Sequence, residues 1–181
     1  MTCIVGLVED GKVYIGGDSA GVAGYSLTVR KDRKVFQIGD VLIGGTSSFR
    51  MLQLLQYALK LPDYDAETNL DRYMATTFVD ALRQCFKDGG YASKQNEQES
   101  GGTFLVGFHG RLFEIEADYQ VGEPLSGYAA VGCGAEIATG AMYATPDMQP
   151  KKRIELALQA SERHNAGVRG PFHIETLGDA K

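Results

Sequence analysis

Met1-Thr2-Cys3-Ile4-Val5-Gly6 opens the chain, and its reading governs that of the remaining sequence. A small residue after the initiator lets methionine aminopeptidase remove Met1, which leaves Thr2 with a free α-amine. Such a threonine carries nucleophile and base on one residue. The hydroxyl attacks, and the amine, with a pKa of about 7.7–8.0, takes its proton. Met-Thr also begins many unrelated proteins, so the dipeptide alone is an ordinary start. The stretch decides the fold because its β-branched and apolar residues read as a strand over 2–8, ended by the turn signal Glu9-Asp10-Gly11.

Val13 to Gly17 is the returning strand of that hairpin, with Asp18-Ser19 at its end. Residues 20–31 read as a glycine-rich loop or irregular hairpin. Val35-Phe36-Gln37-Ile38 and Val41-Leu42-Ile43 form a second hairpin about Gly39-Asp40. Gly44-Gly45-Thr46-Ser47-Ser48 then enters a helix, with Ser47 or Ser48 as its N-cap. Met51, Leu52, Leu54, Leu55, Ala58 and Leu59 recur at helical spacing, and Pro62 lies just past them. The clearest helical periodicity runs from Leu70 to Phe86 and is closed by Gly89-Gly90. Residues 92–101 are polar and read as a loop.

Strands resume at Thr103–Phe108 and Leu112–Ile115 about the turn His109-Gly110, and again at Tyr128–Val131. Gly132-Cys133-Gly134 opens a small-residue helix through Met142. A last helix spans Ile154 to about Arg163, and a last strand His173 to Leu177. Strand hairpins and helix pairs arrive in blocks, which predicts a layered α+β domain with antiparallel sheets. A doubly wound parallel sheet would alternate strand and helix.

Composition narrows the function classes. A chain of 181 residues, 44% of them apolar, has the size of one globular domain, 1–181, with a full core. No run of about 18 apolar residues predicts a membrane span, and no basic segment followed by an apolar one predicts a signal peptide. The cytoplasm is the simplest expectation. A net charge of -5 without an aromatic-basic patch argues against nucleic acid. Cys3, Cys85 and Cys133 lie far apart, with neither a disulfide framework nor zinc spacing. His109, His164 and His173 have no metal-ligand spacing, so no metal is expected.

In chain order the sequence presents Thr2-x-Ile4-Val5, Gly17-Asp18-Ser19, Lys34-Val35-Phe36, Ile43-Gly44-Gly45 and Val131-Gly132-Cys133-Gly134. With these elements it resembles the proteasome β-type subunits, and in length the peptidase subunit of the bacterial two-component ATP-dependent protease. These belong to the N-terminal-nucleophile hydrolases, and the resemblance implies a four-layer αββα sandwich. It implies catalytic roles for Thr2, Asp18, Lys34, Gly45 and Cys133. Thr2 is the nucleophile. Lys34 lowers the pKa of the Thr2 hydroxyl and amine. Asp18 holds Lys34 charged and oriented, and the Gly45 N–H contributes to an oxyanion hole.

The resemblance further implies peptide or unfolded-protein substrates, a homo-oligomeric ring and an ATPase partner, since the chain has no phosphate-binding loop of its own. It implies no organic cofactor. Taken singly, each element has a plainer reading. Gly-Asp-Ser is commonly a turn, Lys34 sits in a charged run that is commonly a solvated surface, and Ser19 could be a cap. Cys133 stands where the family usually has serine. A thiol is the poorer hydrogen-bonding group, and a small buried cysteine is the commoner role.

The family's later Asp-x-x-Ser element is not clear, with Asn165 the nearest residue to its aspartate. Cys3 is a rival nucleophile, although strand alternation turns it away from Thr2. Two other functions compete with a threonine peptidase: a non-catalytic ring subunit of the same fold, and an amidohydrolase acting on a small amide.

Overall fold

The computed structural model describes residues 1–95 and 98–178. Its elements arrive in the blocks that the sequence pattern predicts. β1 (Ile4–Glu9) and β2 (Lys12–Gly17) form the first hairpin, and β3 (Ala20–Ala23) and β4 (Ser26–Val29) a second. β5 (Val35–Ile38) and β6 (Val41–Gly45) form a third and lead into α1 (Phe49–Tyr57). Ser48 caps α1, its side chain accepting from the Arg50 N–H. Leu70 to Asp88 is one continuous helical stretch of α2 (Leu70–Tyr73), a π-helical turn (Met74–Phe78) and α3 (Val79–Asp88).

Residues 93–100, expected as a loop, instead carry the short pair β7 (Ser93–Gln95) and β8 (Gln98–Ser100), with positions 96 and 97 outside the described residues. Next come β9 (Phe104–Phe108), β10 (Arg111–Ile115), the two-residue β11 (Val121–Gly122) and β12 (Tyr128–Val131). The chain then forms α4 (Ala135–Ala144), α5 (Pro150–His164) and β13 (His173–Leu177). α5 starts four residues earlier than the apolar pattern indicates. Pro150 sits in its first turn, where a missing N–H costs nothing.

Among the described residues, one sheet has the order β12-β1-β2-β13 and the other β11-β10-β9-β6-β5, with every neighbour antiparallel. Period-two alternation sorts their side chains into three buried layers. Ile4, Ile15, Leu42, Leu105, Leu112 and Val131 meet between the sheets. Cys3, Val5 and Leu7, the alternate residues along β1 and its approach, pack with Ile154, Ala157 and Leu158 of α5 and Ala138 and Met142 of α4. The far faces of β9 and β10 offer Phe104, Val106, Phe108 and Phe113 to Met51, Leu55, Phe78, Leu82 and Phe86 of α1–α3. Helices, sheet, sheet and helices make the four-layer αββα sandwich.

Small residues set the spacing of the layers. A Cβ on Gly44 would lie 2.5 Å from Ile15 Cγ2 and 2.7 Å from Ile4 Cγ2, across the two sheets. One on Gly16 would lie 2.4 Å from Ile154 Cγ2, where α5 crosses β2. The chain end ahead of β1 is thereby held beside the ends of β2, β6 and β12, and the candidate site forms there.

Candidate active site

Thr2 lies just before β1 and is 5% exposed. Its neighbours come from four distant stretches. Gly132-Cys133-Gly134, between β12 and α4, closes over its backbone. The Gly134 N–H donates to Thr2 O at 3.2 Å, and the Cys133 thiol reaches the same oxygen at 3.4 Å. Gly132 has φ +97°, and a Cβ there would lie 2.3 Å from Thr2 O. Only glycine fits so close an approach.

Asp18 comes directly after β2 and is 1% exposed. Its carboxylate accepts three backbone N–H groups, from Cys3 (3.0 Å), Ala20 (2.9 Å) and Arg169 (3.2 Å). Lys34 precedes β5 and is 2% exposed, so it is no solvated surface lysine. Its Nζ donates to Asp18 Oδ1 at 2.8 Å and to Thr2 Oγ1 at 2.9 Å. Burial pushes the Lys34 ammonium below its ordinary value, and the Asp18 charge and hydrogen bond partly restore it. Ser19 serves the scaffold, its hydroxyl donating to Pro171 O at 2.6 Å.

Here Met1 is still joined to Thr2, and the Thr2 hydroxyl donates to Met1 O. The Thr2 N–H donates to Cys133 Sγ at 3.2 Å. Cys133 is exposed, not the small buried residue of the plainer reading. Its thiol donates to Asn165 Oδ1 at 3.3 Å, while Asn165 Nδ2 donates to Cys133 O at 2.7 Å. Asn165 lies directly after α5, and its Oδ1 also accepts the Gly167 N–H at 2.9 Å. The sequence offers Asn165 only as the residue nearest the aspartate of an unclear motif. Its hydrogen bonds span 32 residues and depend on how α5 ends.

Gly45 differs from the expectation. β6 runs two residues beyond the predicted strand, and the Gly45 N–H is spent on Lys34 O at 3.0 Å. The next N–H groups are committed in turn, Thr46 to Thr103 O (3.1 Å) and Ser48 to Thr46 O (2.7 Å). The Ser47 N–H has no partner among the described residues. Ser47 has φ +60°, and its hydroxyl accepts the Thr103 N–H at 3.1 Å. A cavity of about 80 Å³ opens beside Thr2 and is lined by Lys34, Gly45, Ser47 and Phe49, among others. Sequence reasoning does not pick out the Ser47 amide, because nothing in Gly-Gly-Thr-Ser-Ser says which N–H the sheet leaves unpaired.

The rival nucleophile is placed elsewhere. Cys3 is fully buried under α5, with Ser161 Oγ 3.5 Å from its sulfur, and burial pushes its thiol up to about 12. A thiol so rarely ionised is a poor nucleophile. Among the described residues, no group of three or more histidine, cysteine or acidic side chains is placed to hold a metal ion. No helix among them is long and apolar enough to cross a membrane.

No protein-family model matches the sequence, and no curated protein matches it. Solved structures match along nearly the whole chain. BPH of Thiobacillus denitrificans in complex with epoxomicin is 20% identical with a TM-score of 0.82, over 99% of this chain and 100% of that one. Eukaryotic HslV from Trypanosoma brucei is 18% identical with a TM-score of 0.69, over 98% and 99%. Anbu (ancestral beta-subunit) from Yersinia bercovieri is 15% identical with a TM-score of 0.67, over 98% and 82%. The likeness is one of architecture: the chain shares the fold of these solved structures along nearly its whole length.

Proposed function

We propose that this chain is a threonine-type peptidase subunit that works once Met1 has been removed. The observation that carries the reading is the buried relay from Asp18 through Lys34 Nζ to Thr2 Oγ1, at 2.8 and 2.9 Å. A buried ammonium is costly unless it is paired. Its second hydrogen bond goes to the hydroxyl of a residue one peptide bond from the chain start. A purely structural ion pair has no need of that partner.

With Met1 gone, the nitrogen now 3.2 Å from Cys133 Sγ becomes a primary amine. It takes the Thr2 hydroxyl proton while Oγ1 attacks the substrate carbonyl carbon. The Lys34 charge favours the developing alkoxide. The negative carbonyl oxygen of the tetrahedral intermediate needs a donor, and the unpaired Ser47 N–H fits that role better than the committed Gly45 N–H. The peptide C–N bond breaks, the leaving amine takes the proton, and water hydrolyses the ester left on Thr2. A self-compartmentalised ring with an ATPase unfoldase in the cytoplasm is the setting in which such a subunit would act on unfolded protein.

Intact mass of the protein from its native host, before and after treatment with a peptidyl epoxyketone, tests the reading. That probe closes a ring only with both the hydroxyl and the free amine of one residue. The expected result is loss of Met1 and one adduct on Thr2. Retained Met1 with no adduct would instead leave a non-catalytic subunit of the same fold, a state in which the Thr2 hydroxyl stays bonded to Met1 O as it is here.

A further inference from the structure

Asn165 reaches Thr2 through Cys133, to which it is bonded at two points. We infer that Asn165 is a positioning residue for the Thr2 amine: by taking the Cys133 S–H, it makes the sulfur an acceptor toward the Thr2 nitrogen. The inference rests on the peptidase reading and adds a residue to its machinery.

Two backbone groups settle which end of the Asn165 amide is which. Cys133 O can only accept and lies 2.7 Å from Nδ2, whereas the Gly167 N–H can only donate and lies 2.9 Å from Oδ1. The oxygen that faces the sulfur at 3.3 Å is therefore an acceptor, and the thiol must supply the proton. A thiol has one proton to give. Its other nearby acceptor, Thr2 O at 3.4 Å, is already served by the Gly134 N–H at 3.2 Å. What the sulfur turns toward the Thr2 nitrogen, 3.2 Å away, is a lone pair. The two partners are themselves held together. The Asn165 N–H donates to Ser161 O at 2.9 Å, and the Ser161 hydroxyl donates to Gly134 O at 2.9 Å, which ties the end of α5 to the turn that carries Cys133.

The direction of that one proton decides whether the amine can work. With Met1 gone, the base needs its nitrogen lone pair free for the Thr2 hydroxyl proton. A thiol donating to the nitrogen would occupy that lone pair. A sulfur that accepts one amine N–H leaves it free and fixes the rotation of the amine. Asparagine suits the task because it offers both a donor and an acceptor. An aspartate at 165 would set a carboxylate oxygen against Cys133 O at 2.7 Å, two acceptors with no proton between them.

An aspartate would also add a charge. The charged groups on the elements around the Thr2 nitrogen are the Asp18–Lys34 pair, Glu136 in the first turn of α4, and Arg163 and His164 in the last turn of α5. Glu162 is occupied by Arg169 at 3.8 Å, and the remaining titratable group is the buried Cys3. A carboxylate next to Cys133 favours the ammonium form of the Thr2 amine, so the acid limb of activity moves to higher pH.

The test compares Asn165→Ala and Asn165→Asp with the wild type as Met1-free proteins, using a fluorogenic peptide and a peptidyl epoxyketone. The alanine variant is also made in the Cys133→Ala background. In Asn165→Ala, kcat is expected to fall roughly two- to tenfold with KM unchanged, the size of one lost hydrogen bond. In the Cys133→Ala background the same change should cost less than about twofold, because the sulfur through which it acts is gone. In Asn165→Asp the acid limbs of kcat/KM and of adduct formation should both move to higher pH. Full activity in Asn165→Ala, an equal loss in both Cys133 backgrounds, or an acid limb left in place by Asn165→Asp would overturn the inference and leave the peptidase reading intact. Should either variant fail to fold, the other decides alone. No turnover and no adduct in the wild type would overturn the peptidase reading and this inference with it.

Discussion

Lys34 carries a charge to a place with 2% exposure, and its stability there depends on Asp18 and Thr2. Replacing it by methionine leaves the Asp18 carboxylate buried without its cation, a change that costs about 3–5 kcal/mol in comparable buried pairs. Three backbone N–H groups remain on Asp18, so urea denaturation should place the loss at the low end of that range. The double variant Asp18→Asn/Lys34→Met should recover much of the stability and none of the activity. Equal stability of the single variant and the wild type would mean that the pair is not buried in solution.

The same residue sets the pH dependence. Burial holds Lys34 below 10.5 when folded. Between that lowered value and 10.5 the unfolded chain binds more protons than the folded one, so Lys34 makes stability rise with pH across this window. In the proposed mechanism activity needs the ammonium and moves the other way, so kcat/KM should fall on an alkaline limb below 10.5. The acid limb should reflect the Thr2 amine, at or below about 7.7–8.0. An alkaline limb above 10.5 would exclude Lys34 as the group responsible. In the proposed mechanism the Cys133 thiol, a weak partner, would orient that amine. Cys133→Ser should hold or raise the rate, while Cys133→Ala loses one hydrogen bond, about 0.5–1.5 kcal/mol or roughly two- to tenfold.

At the scale of elements, the turn between β12 and α4 and the helix α4 itself make opposite use of glycine. Gly132 has φ +97° and passes within 2.3 Å (from an added Cβ) of Thr2 O. Gly132→Ala should therefore cost about 1–3 kcal/mol and abolish epoxyketone labelling. Gly140, within α4, has nothing within 4 Å of an added Cβ. Gly140→Ala should stabilise by about 0.5–1 kcal/mol with unchanged labelling. Chemical denaturation and adduct mass separate the two effects.

Elements also show what local sequence can reveal. Short strands such as Tyr128–Val131 and His173–Leu177 are legible to the residue, because each run is closed by a glycine, Gly132 or Gly178. β7, β8 and β11 are not, being only two or three residues long, too short to show a period. Thr2, Asp18 and Lys34 are legible as motif members, and the structure brings their side chains together. Asn165 is legible only as the residue nearest an unclear motif and Ser47 only as a possible cap, since the place of one depends on where a helix stops and of the other on which amide a sheet leaves unpaired.

For the whole molecule, the sandwich satisfies its own layers but leaves apolar side chains outside them. Tyr25, Leu27 and Val29 on the β3–β4 hairpin are exposed, as are Leu125, Tyr57 and Tyr143. A two-stranded hairpin is marginal on its own in water. β4 is exposed along its whole length, yet the hairpin supplies Val22 to the cavity beside Thr2. In the proposed ring, a neighbouring copy would cover such a hairpin and steady the wall it contributes. Native mass spectrometry of the wild type should then show a closed assembly of identical subunits. Leu27→Asp with Val29→Asp should shift it toward the 19.6 kDa protomer and lower kcat/KM, although neither residue lines the cavity. A wild type that is monomeric at micromolar concentration yet still turns over small amides would favour the amidohydrolase instead, because a chamber is needed only where unfolded protein must be confined.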